Sequence, residues 1–367
     1  MHFAMSGRWK LWGDWLLGGA VDKIGICFNA EKYFSGGWGD NVKEGFVTLP
    51  PCVPAVAWGE WRCPMCHGAN HCVQRVSRRG TFRTRDCSGL HETVQIAHVE
   101  QWMPVVSKGL QIQTTCKQHG RLQLSVPLPE CTPFVVCLPH TGDEWYEARE
   151  QIYAHRLCPR GMCICLLMGA FYGLRRPPHQ PTHKFVTVSD FALLGRTNVE
   201  DTRSLLAWAQ NQGFAKLCVA GISMGASMGA VAVQLFPGKV ALAAGLIGCS
   251  AADAYVHGCM AHAVDWQALQ QPGQDTKQAL HAIMERCSNL TQLPPPQAPE
   301  AVVLVGALSD QYVPPASVRK VAQHFQCSPQ QVHWVPGGHI VAITAAGDAF
   351  ADAVSVALRA LPDKMNF

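Results

Sequence analysis

Short apolar runs alternate with longer amphipathic stretches from about residue 110 onward. This alternation is typical of a doubly wound, mostly parallel sheet with helices on both faces. Six of the runs are apolar almost throughout, as expected for strands that are covered on both faces. These runs are Phe134–Leu138, Met162–Met168, Lys216–Ala220, Val240–Ile247, Ala301–Val305 and Gln331–Val335. The pattern therefore predicts an α/β fold.

Further patterns surround these runs. Leu110–Thr115 and Arg121–Val126 alternate apolar and polar residues, which predicts a hairpin at the leading edge of the sheet. Helical spacing over Val188–Gln212 and Met224–Leu235 predicts two of the covering helices. Residues 250–292 are long enough to form a small cap above the strand ends.

The N-terminal part of the chain lacks this regular alternation. We expect residues 1–109 to form an N-terminal extension with helical and Cys-rich segments, and residues 110–367 to form the main α/β domain. The apolar run Leu16–Ala20 is too short to span a bilayer, and Asp14 precedes it. We expect neither a signal peptide nor a transmembrane helix there. A packed helix is favoured, with a transit peptide as the alternative.

Composition and charge limit the kinds of molecule that the protein is expected to bind. Hydrophobic residues make up 48% of the chain and charged residues 15%, as in a compact folded protein. The net charge is +4 and the basic residues are scattered, so no nucleic-acid partner is expected. A weakly basic surface leaves peripheral membrane contact open. The oligomeric state is unknown from the sequence.

Cysteine usage indicates the compartment. The chain has 17 cysteines, an odd number. Several, including Cys137, Cys163 and Cys165, lie inside apolar runs, where free thiols pack as small hydrophobic side chains. We therefore expect an intracellular, reducing compartment, with the mitochondrion as one option, and no secretion.

One Cys-rich stretch has side chains of the kinds that bind zinc. Cys63 and Cys66 form a close pair, with Cys72 and Cys87 further along the chain. The spacing after the first pair is irregular and a second close pair is absent, so incidental thiols are favoured over a structural zinc site. No cofactor is expected for catalysis.

The clearest chemical motif follows the run that begins at Lys216. Gly221-Ile222-Ser223-Met224-Gly225 lies between an apolar strand and a helical stretch, which is the context of a nucleophile elbow. Gly221 and Gly225 remove side chains that would collide with the neighbouring strand and helix. Ser227 fits an overlapping copy of the motif but would lie one turn into the helix. Ser223 is therefore the predicted nucleophile.

A nucleophilic serine needs a base, and the base needs an orienting acid; in this kind of fold both follow the serine along the chain. Asp310 follows one predicted strand, and His339 follows the next strand and a Gly-Gly loop. His333 is the rival base, but it lies within a strand and is expected to be a packed histidine. Asp253 and Asp265 are weaker rivals to Asp310.

An oxyanion hole requires two N–H donors. The residue after the nucleophile, Met224, supplies one, and the loop after the first parallel strand supplies the other. In that loop Thr141 is the candidate donor, and Gly142 lets the backbone turn. Asp143 is expected to fix the loop by accepting hydrogen bonds from nearby N–H groups.

Several separated blocks of sequence, in addition to these motifs, carry a likeness to a known family. Through them the chain resembles the family of α/β-hydrolase domain-containing protein 18, which implies the α/β-hydrolase fold and the same triad. Two departures are His140, where a glycine is expected before Thr-Gly-Asp, and the Cys-rich stretch, which has the character of an insertion. The blocks are Gly37-Trp38-Gly39, Thr141-Gly142-Asp143, Phe171–Pro177, Val188-Ser189-Asp190, Gly221–Gly225, Val264-Asp265-Trp266, Asp310 with Tyr312 and Pro314, and Gly337–Ile340.

Together these residues predict a serine hydrolase that transfers an acyl group to water through Ser223, His339 and Asp310. The expected substrate is a small molecule or lipid with a carboxylic ester. A lipid acyl ester is favoured because the chain is hydrophobic and weakly basic. One alternative is a non-catalytic scaffold of the same fold that binds a lipid or a protein. Another is a zinc-stabilised interaction module over residues 52–90.

Overall fold

The computed structural model describes Asp22, residues 31–39, 132–214 and 216–362, together with the backbones of five strands between residues 57 and 126. Nine of the strands in this part of the chain form one sheet, and two form a separate hairpin. In chain order the strands are β1 (Ala57–Arg62), β2 (Val73–Arg85), β3 (His91–Pro104), β4 (Leu110–Cys116), β5 (Gly120–Val126), β6 (Pro133–Leu138), β7 (Cys163–Leu167), β8 (Lys216–Ile222), β9 (Ala241–Gly245), β10 (Val302–Ala307) and β11 (Val332–Val335).

The six strands from β6 to β11 pair in parallel, in the order β7-β6-β8-β9-β10-β11. All six predicted runs form these strands, which confirms the α/β-hydrolase type of sheet. Alternate residues of β6 enter two different cores, because Val136 and Leu138 lie in one hydrophobic cluster and Val135 and Cys137 in the other. Burial on both faces is the reason why these runs are apolar throughout.

The direction of strand addition reverses between β6 and β8. From β6 the chain moves outward to β7, then returns to place β8 on the other side of β6 and continues outward to β11. Ligands of open α/β sheets bind at such a switch point, beyond the carboxyl ends of the strands. The loop that begins at His140 follows β6, and Ser223 follows β8, so both lie at this position.

The edge of the sheet next to β7 differs from the prediction. The hairpin of β4 and β5 is present, but its strands pair only with each other, and the antiparallel strand β3 lies beside β7. β2 and β1 extend this edge further. Apolar alternation identifies a strand and its buried face, but it does not identify the strand that pairs with it. The division of the chain at residues 109 and 110 stays a prediction.

Helices cover both faces of the sheet. One hydrophobic core contains residues of α2, α3 and α5, and the opposite core contains residues of α1 and α7. Thr187 begins α2 with a reciprocal capping box to Asp190, which confirms the predicted start of this helix. The helices are α1 (147–160, with a π-helical turn at Glu150–Ala154), α2 (Val188–Asn211), α3 (Met224–Leu235), α4 (Thr276–Ser288), α5 (Pro315–His324), α6 (His339–Ala345) and α7 (Gly347–Ala360).

Residues 31–39 connect the loop before α2 to the predicted cap region. The N–H of Phe34 donates to the carbonyl of Phe185 at 2.9 Å, and the N–H of Tyr33 donates to the carbonyl of Ala263 at 2.7 Å. The indole N–H of Trp38 donates to the carbonyl of Leu269 at 2.9 Å. Blocks of sequence that lie far apart in the chain are therefore in contact at one side of the strand ends.

Two further observations concern the described residues as a set. No two cysteines among them are joined by a disulfide. Within the same ranges no single helix is long and apolar enough to cross a bilayer; α6 and α7 reach that length and composition only as a pair, which is bent by 76°.

Candidate active site

Ser223 occupies a strained turn between β8 and α3. Its φ of 56° and ψ of −122° lie in a region that residues other than glycine rarely adopt. A Cβ atom on Gly221 would lie 2.5 Å from the carbonyl carbon of Gly225, and a Cβ atom on Gly225 would lie 2.6 Å from the carbonyl oxygen of Pro139. The two glycines therefore let the strand, the helix and the loop after β6 pack closely around the serine.

The structure brings the three residues of the predicted triad together. The Oγ atom of Ser223 lies 2.9 Å from Nε2 of His339. Nδ1 of His339 lies 2.7 Å from Oδ2 of Asp310. His339 is 3% exposed and Asp310 is 4% exposed, so water has little access to the hydrogen bond between them.

The hydrogen bonds around Asp310 define the tautomer of His339. Oδ1 of Asp310 accepts the N–H groups of Tyr312 at 2.8 Å and Val313 at 2.7 Å, which orients Oδ2 towards the imidazole. A carboxylate only accepts hydrogen bonds, so the imidazole proton belongs on Nδ1. Nε2 is then free to accept the hydroxyl proton of Ser223. This arrangement is the one that a general base requires.

The rival residues lie elsewhere. Ser227 is on α3, and its hydroxyl donates to the carbonyl of Gly248 at 3.3 Å. His333 is on β11 and is exposed, so the expectation that it packs in the core was wrong. Asp253 accepts the hydroxyl of Ser317, and Asp265 accepts the N–H of Ala268. The first bond joins segments 64 residues apart and the second closes a local turn, whereas the imidazole of His339 is bonded to Asp310.

The loop after β6 lies beside the nucleophile. The hydroxyl of Thr141 lies 3.7 Å from the sulfur of Met224, so the two candidate oxyanion donors are neighbours. Gly142 has a φ of +83°, as the predicted turn requires. Its N–H donates to the hydroxyl of Tyr172 at 3.1 Å. Because this N–H is already engaged, Met224 and Thr141 are the candidates for donation to a substrate.

A buried ion pair also holds the loop after β6 in place. Nε of Arg149 lies 2.6 Å from Oδ2 of Asp143, and the side chains are 2% and 4% exposed. The guanidinium also donates to the carbonyls of Cys137 and Leu167, at the ends of β6 and β7. Asp143 therefore fixes the loop as expected, but its partner is a guanidinium from α1 and not a backbone N–H.

His140 lies where the sequence departs from the expected glycine. Its side chain lines the same cavity as Thr141, Ser223 and His339. Burial lowers the pKa of His140, and the charge of Asp143 only partly opposes this effect. The imidazole is therefore neutral at pH 7, and it adds no positive charge next to the triad.

A cavity of about 410 Å³ opens beside Ser223, within the size range of small-molecule sites, about 300–1,000 Å³. It extends between α2 and α3 and along residues 250–263, which belong to the predicted cap region. Its polar lining includes His140, Thr141, Ser223 and His339, together with His183, Lys184, Ser227, Ser250 and Ser288 on other segments. The remaining wall is largely apolar and includes Phe191, Val199, Met228, Val231, Ala254, Tyr255, Met260 and Ile343.

Comparison with known proteins agrees with this geometry. A family model described as alpha/beta hydrolase domain containing 18 matches residues 31–281 and 270–360. The chain belongs to this family. The match includes the elbow, the loop after β6 and the loops that carry Asp310 and His339.

Among solved structures, an acetyl xylan esterase from Paenibacillus sp. R4 is 11% identical, with a TM-score of 0.52 over 82% of this chain and 89% of that chain. TT1662 from Thermus thermophilus is 15% identical over 76% of this chain and 98% of that chain, with a TM-score of 0.45. XC6422 from Xanthomonas campestris, a serine hydrolase without a lid, is 14% identical over 77% and 97% of the two chains, with a TM-score of 0.42. At this identity the esterase likeness shows the fold alone.

Two further contacts of this hydrolase-family site were not predicted. The ring of Tyr312 stacks on the imidazole of His339, with centroids 4.8 Å apart and an angle of 25° between the planes. Asp22 accepts hydrogen bonds from the N–H of Gln311, which is next to Asp310, and from the N–H of His339 itself. The pattern around Tyr312 marks a loop after a strand, which could have indicated the first contact. No local pattern around Asp22 indicates the second.

The zinc alternative concerns residues that the structure does not describe. Cys63, Cys66, Cys72 and Cys87 lie outside the described residues. Within the described ranges, His, Cys, Asp and Glu side chains form no group of three or more that could hold a metal ion.

Proposed function

We propose that this member of the alpha/beta hydrolase domain containing 18 family is a serine hydrolase that cleaves a carboxylic ester, with a lipid acyl ester as the substrate class. Membership of the family supports a hydrolase. The observation that carries the finer proposal is the continuous hydrogen-bonded path from Ser223 through His339 to Asp310, at 2.9 Å and 2.7 Å.

The reaction begins at the hydroxyl of Ser223. Nε2 of His339 removes its proton while Oγ bonds to the carbonyl carbon of the ester, which gives a tetrahedral intermediate. Asp310 stabilises the imidazolium that forms. When the intermediate collapses, the ester C–O bond breaks and His339 passes its proton to the departing alcohol. Water then attacks the acyl-enzyme by the same route and releases the carboxylic acid and the free serine.

The negative charge of the intermediate requires N–H donors. Met224 is the first residue of α3, and amides of the first helical turn have no acceptor within the helix. Its N–H and that of Thr141 are the proposed donors. Removing one such donor from other hydrolases typically costs about 10²–10³ in rate.

The cavity supports an apolar acyl group. Its wall between α2 and α3 starts at Ser223 and is formed by aliphatic, aromatic and methionine side chains, with Ser227 as a polar exception. Burial of an acyl chain there would be favourable by about 0.8 kcal/mol for each methylene. The ester itself would be bound at Ser223, beside the polar side chains of His140, Thr141 and His339 that also line the cavity.

The decisive experiment is covalent labelling with a fluorophosphonate probe, in which Oγ of the serine displaces fluoride from phosphorus. We expect the wild-type protein and Ser227→Ala to be labelled and Ser223→Ala to remain unlabelled. Ser227→Ala is a matched control, because it removes a hydroxyl four residues away that also lines the cavity. A folded wild-type protein that does not react would contradict the proposal and favour a non-catalytic scaffold.

A further inference from the structure

Asp22 connects the N-terminal part of the chain to the two loops that carry Asp310 and His339. The residue is fully buried. Oδ2 accepts the N–H groups of Gln311 at 3.1 Å and His339 at 2.9 Å. Oδ1 accepts the N–H of Ile340 at 2.9 Å. One carboxylate thus binds three backbone N–H groups, one from the loop after β10 and two from the first turn of α6.

The three N–H groups that Asp22 binds belong to His339 and to residues directly next to Asp310 and His339. Gln311 follows Asp310 directly, and the third N–H belongs to the residue after His339. The side chain of Asp310 is itself fully engaged, because Oδ1 binds two N–H groups and Oδ2 binds the imidazole. Asp22 therefore fixes the backbones on either side of the Asp310–His339 hydrogen bond without competing for it.

We propose that Asp22 is a positioning residue that holds the imidazole of His339 between Asp310 and Ser223. The catalytic benefit of this role rests on the proposed function. Hydrogen bonds to an ionised acceptor are shorter and stronger than neutral ones. A buried carboxylate that lost them would pay a large desolvation penalty. Both effects stabilise one position of the loop that carries Asp310 relative to the start of α6.

Asp22 does not touch the cavity, because it is absent from the cavity wall. Its removal should therefore slow the chemical step and leave binding of a substrate unchanged. A misplacement of reacting groups by about 1 Å can cost about 100-fold in rate. A purely structural anchor would instead reduce the amount of folded protein and leave the folded fraction fully active.

The test uses the full-length chain with Asp22→Asn and Asp22→Ala. The amide oxygen of Asn can still accept the N–H groups of Gln311 and His339, but its NH₂ group then faces the N–H of Ile340. We expect the maximal rate constant of fluorophosphonate labelling to fall about 10-fold in Asp22→Asn and about 100-fold in Asp22→Ala. The probe concentration at half-maximal rate should not change.

A second readout does not depend on activity. In proton NMR, the Nδ1–H of His339 should give a far-downfield resonance, because it is hydrogen-bonded to a buried carboxylate. We expect this resonance to shift and broaden in Asp22→Asn. Since Asn is nearly the same size as Asp, this variant is the primary one if Asp22→Ala does not fold.

Two controls separate positioning from general stability. Asp275→Asn changes an exposed aspartate that caps α4 through the N–H groups of Lys277 and Gln278, so it should change neither readout. Val354→Ala removes buried volume from α7 in the opposite core and serves as a destabilised reference. If Val354→Ala slows labelling as much as Asp22→Asn at equal loss of thermal stability, the role of Asp22 is structural and the inference is wrong.

The remaining outcomes distinguish the two proposals. If the wild-type protein labels and Asp22→Asn keeps both the rate and the resonance, the inference fails and the hydrolase proposal stands. If the wild-type protein never labels but the resonance changes in Asp22→Asn, the hydrolase proposal fails and the positioning role stands.

Discussion

The hydroxyl of Ser223 lies 2.9 Å from Nε2 of His339, although 116 residues separate them in the chain. The contact forms because β8 and β11 end at the same edge of the parallel sheet, where the elbow and the loop after β11 meet. The hydrogen bond between His339 and Asp310 fixes the direction in which the imidazole can accept a proton. This relationship makes the role of Asp310 directly testable.

Asp310→Asn should abolish most reactivity and preserve the fold. The amide can donate a hydrogen bond to Nδ1 and so favour the tautomer that has its proton on Nε2, where it cannot accept the proton of Ser223. An equivalent change in a Ser-His-Asp protease lowers kcat about 10⁴-fold. We expect a loss of similar size in the rate of fluorophosphonate labelling. Asp265→Asn, at a rejected rival position, is the control; comparable losses in both variants would contradict the assignment of Asp310.

Val231→Trp should shorten the acyl chain that the site accepts. Val231 lines the apolar wall of the cavity on α3, and a larger side chain there would occupy space for methylenes. Losing burial of two methylenes, about 1.6 kcal/mol, corresponds to about a 15-fold loss in rate. The measurement is the ratio of hydrolysis rates for para-nitrophenyl decanoate and para-nitrophenyl acetate. Val231→Ala provides the opposite change, and a ratio that stays the same in both variants would place the acyl chain elsewhere.

His140 should make the fold sensitive to acid. Burial lowers the pKa of His140 below the ordinary value of about 6.5, so the unfolded state binds its proton more readily than the folded state. The stability associated with the neutral ring is complete above that ordinary value, and it is lost as the pH falls through the folded pKa. Between pH 7 and pH 5, the thermal midpoint should therefore fall less in His140→Gln than in the wild-type protein. His333→Gln, at an exposed position, should follow the wild type; a steeper fall in His140→Gln would reverse the sign of the argument.

Arg149→Met should destabilise the protein far more than a similar change at the surface. It would leave the carboxylate of Asp143 buried without its partner, at a cost of about 3–5 kcal/mol. The exposed pair of Arg160 and Asp352 provides the control, since removing its arginine should cost at most about 1 kcal/mol. Urea unfolding gives both free energies. Adding Asp143→Asn to Arg149→Met should recover part of the loss, because the unpaired charge is then gone.

The sequence was informative where a local pattern has one physical cause. The runs that form β6 to β11 are apolar because both faces of the sheet are covered, so their positions could be predicted. The elbow could be located because only glycines at 221 and 225 tolerate the close approach of the backbone. The chain order of Ser223, Asp310 and His339 followed from the order of the strand ends.

The sequence was uninformative where the structure depends on a distant partner. Alternation in the segment of β4 and β5 indicated a hairpin but could not show that β3 would lie beside β7. The N–H of Gly142 was not expected to bind Tyr172, because that hydroxyl comes from another loop. Asp22 is the extreme case, since its partners lie 289, 317 and 318 residues away.

The contacts of Asp22 also bear on the timing of activity during biosynthesis. A ribosome makes the N-terminal part of a chain first, so Asp22 and Ser223 emerge well before the loop that contains His339. On the proposed mechanism, the serine lacks its base until that segment has formed, and Asp310 has no imidazole to orient. During synthesis the growing chain is therefore unreactive towards other molecules in the cell. If Asp22 has the proposed positioning role, full reactivity also requires the contacts between Asp22 and the backbones of Gln311, His339 and Ile340, which makes it a late event in folding.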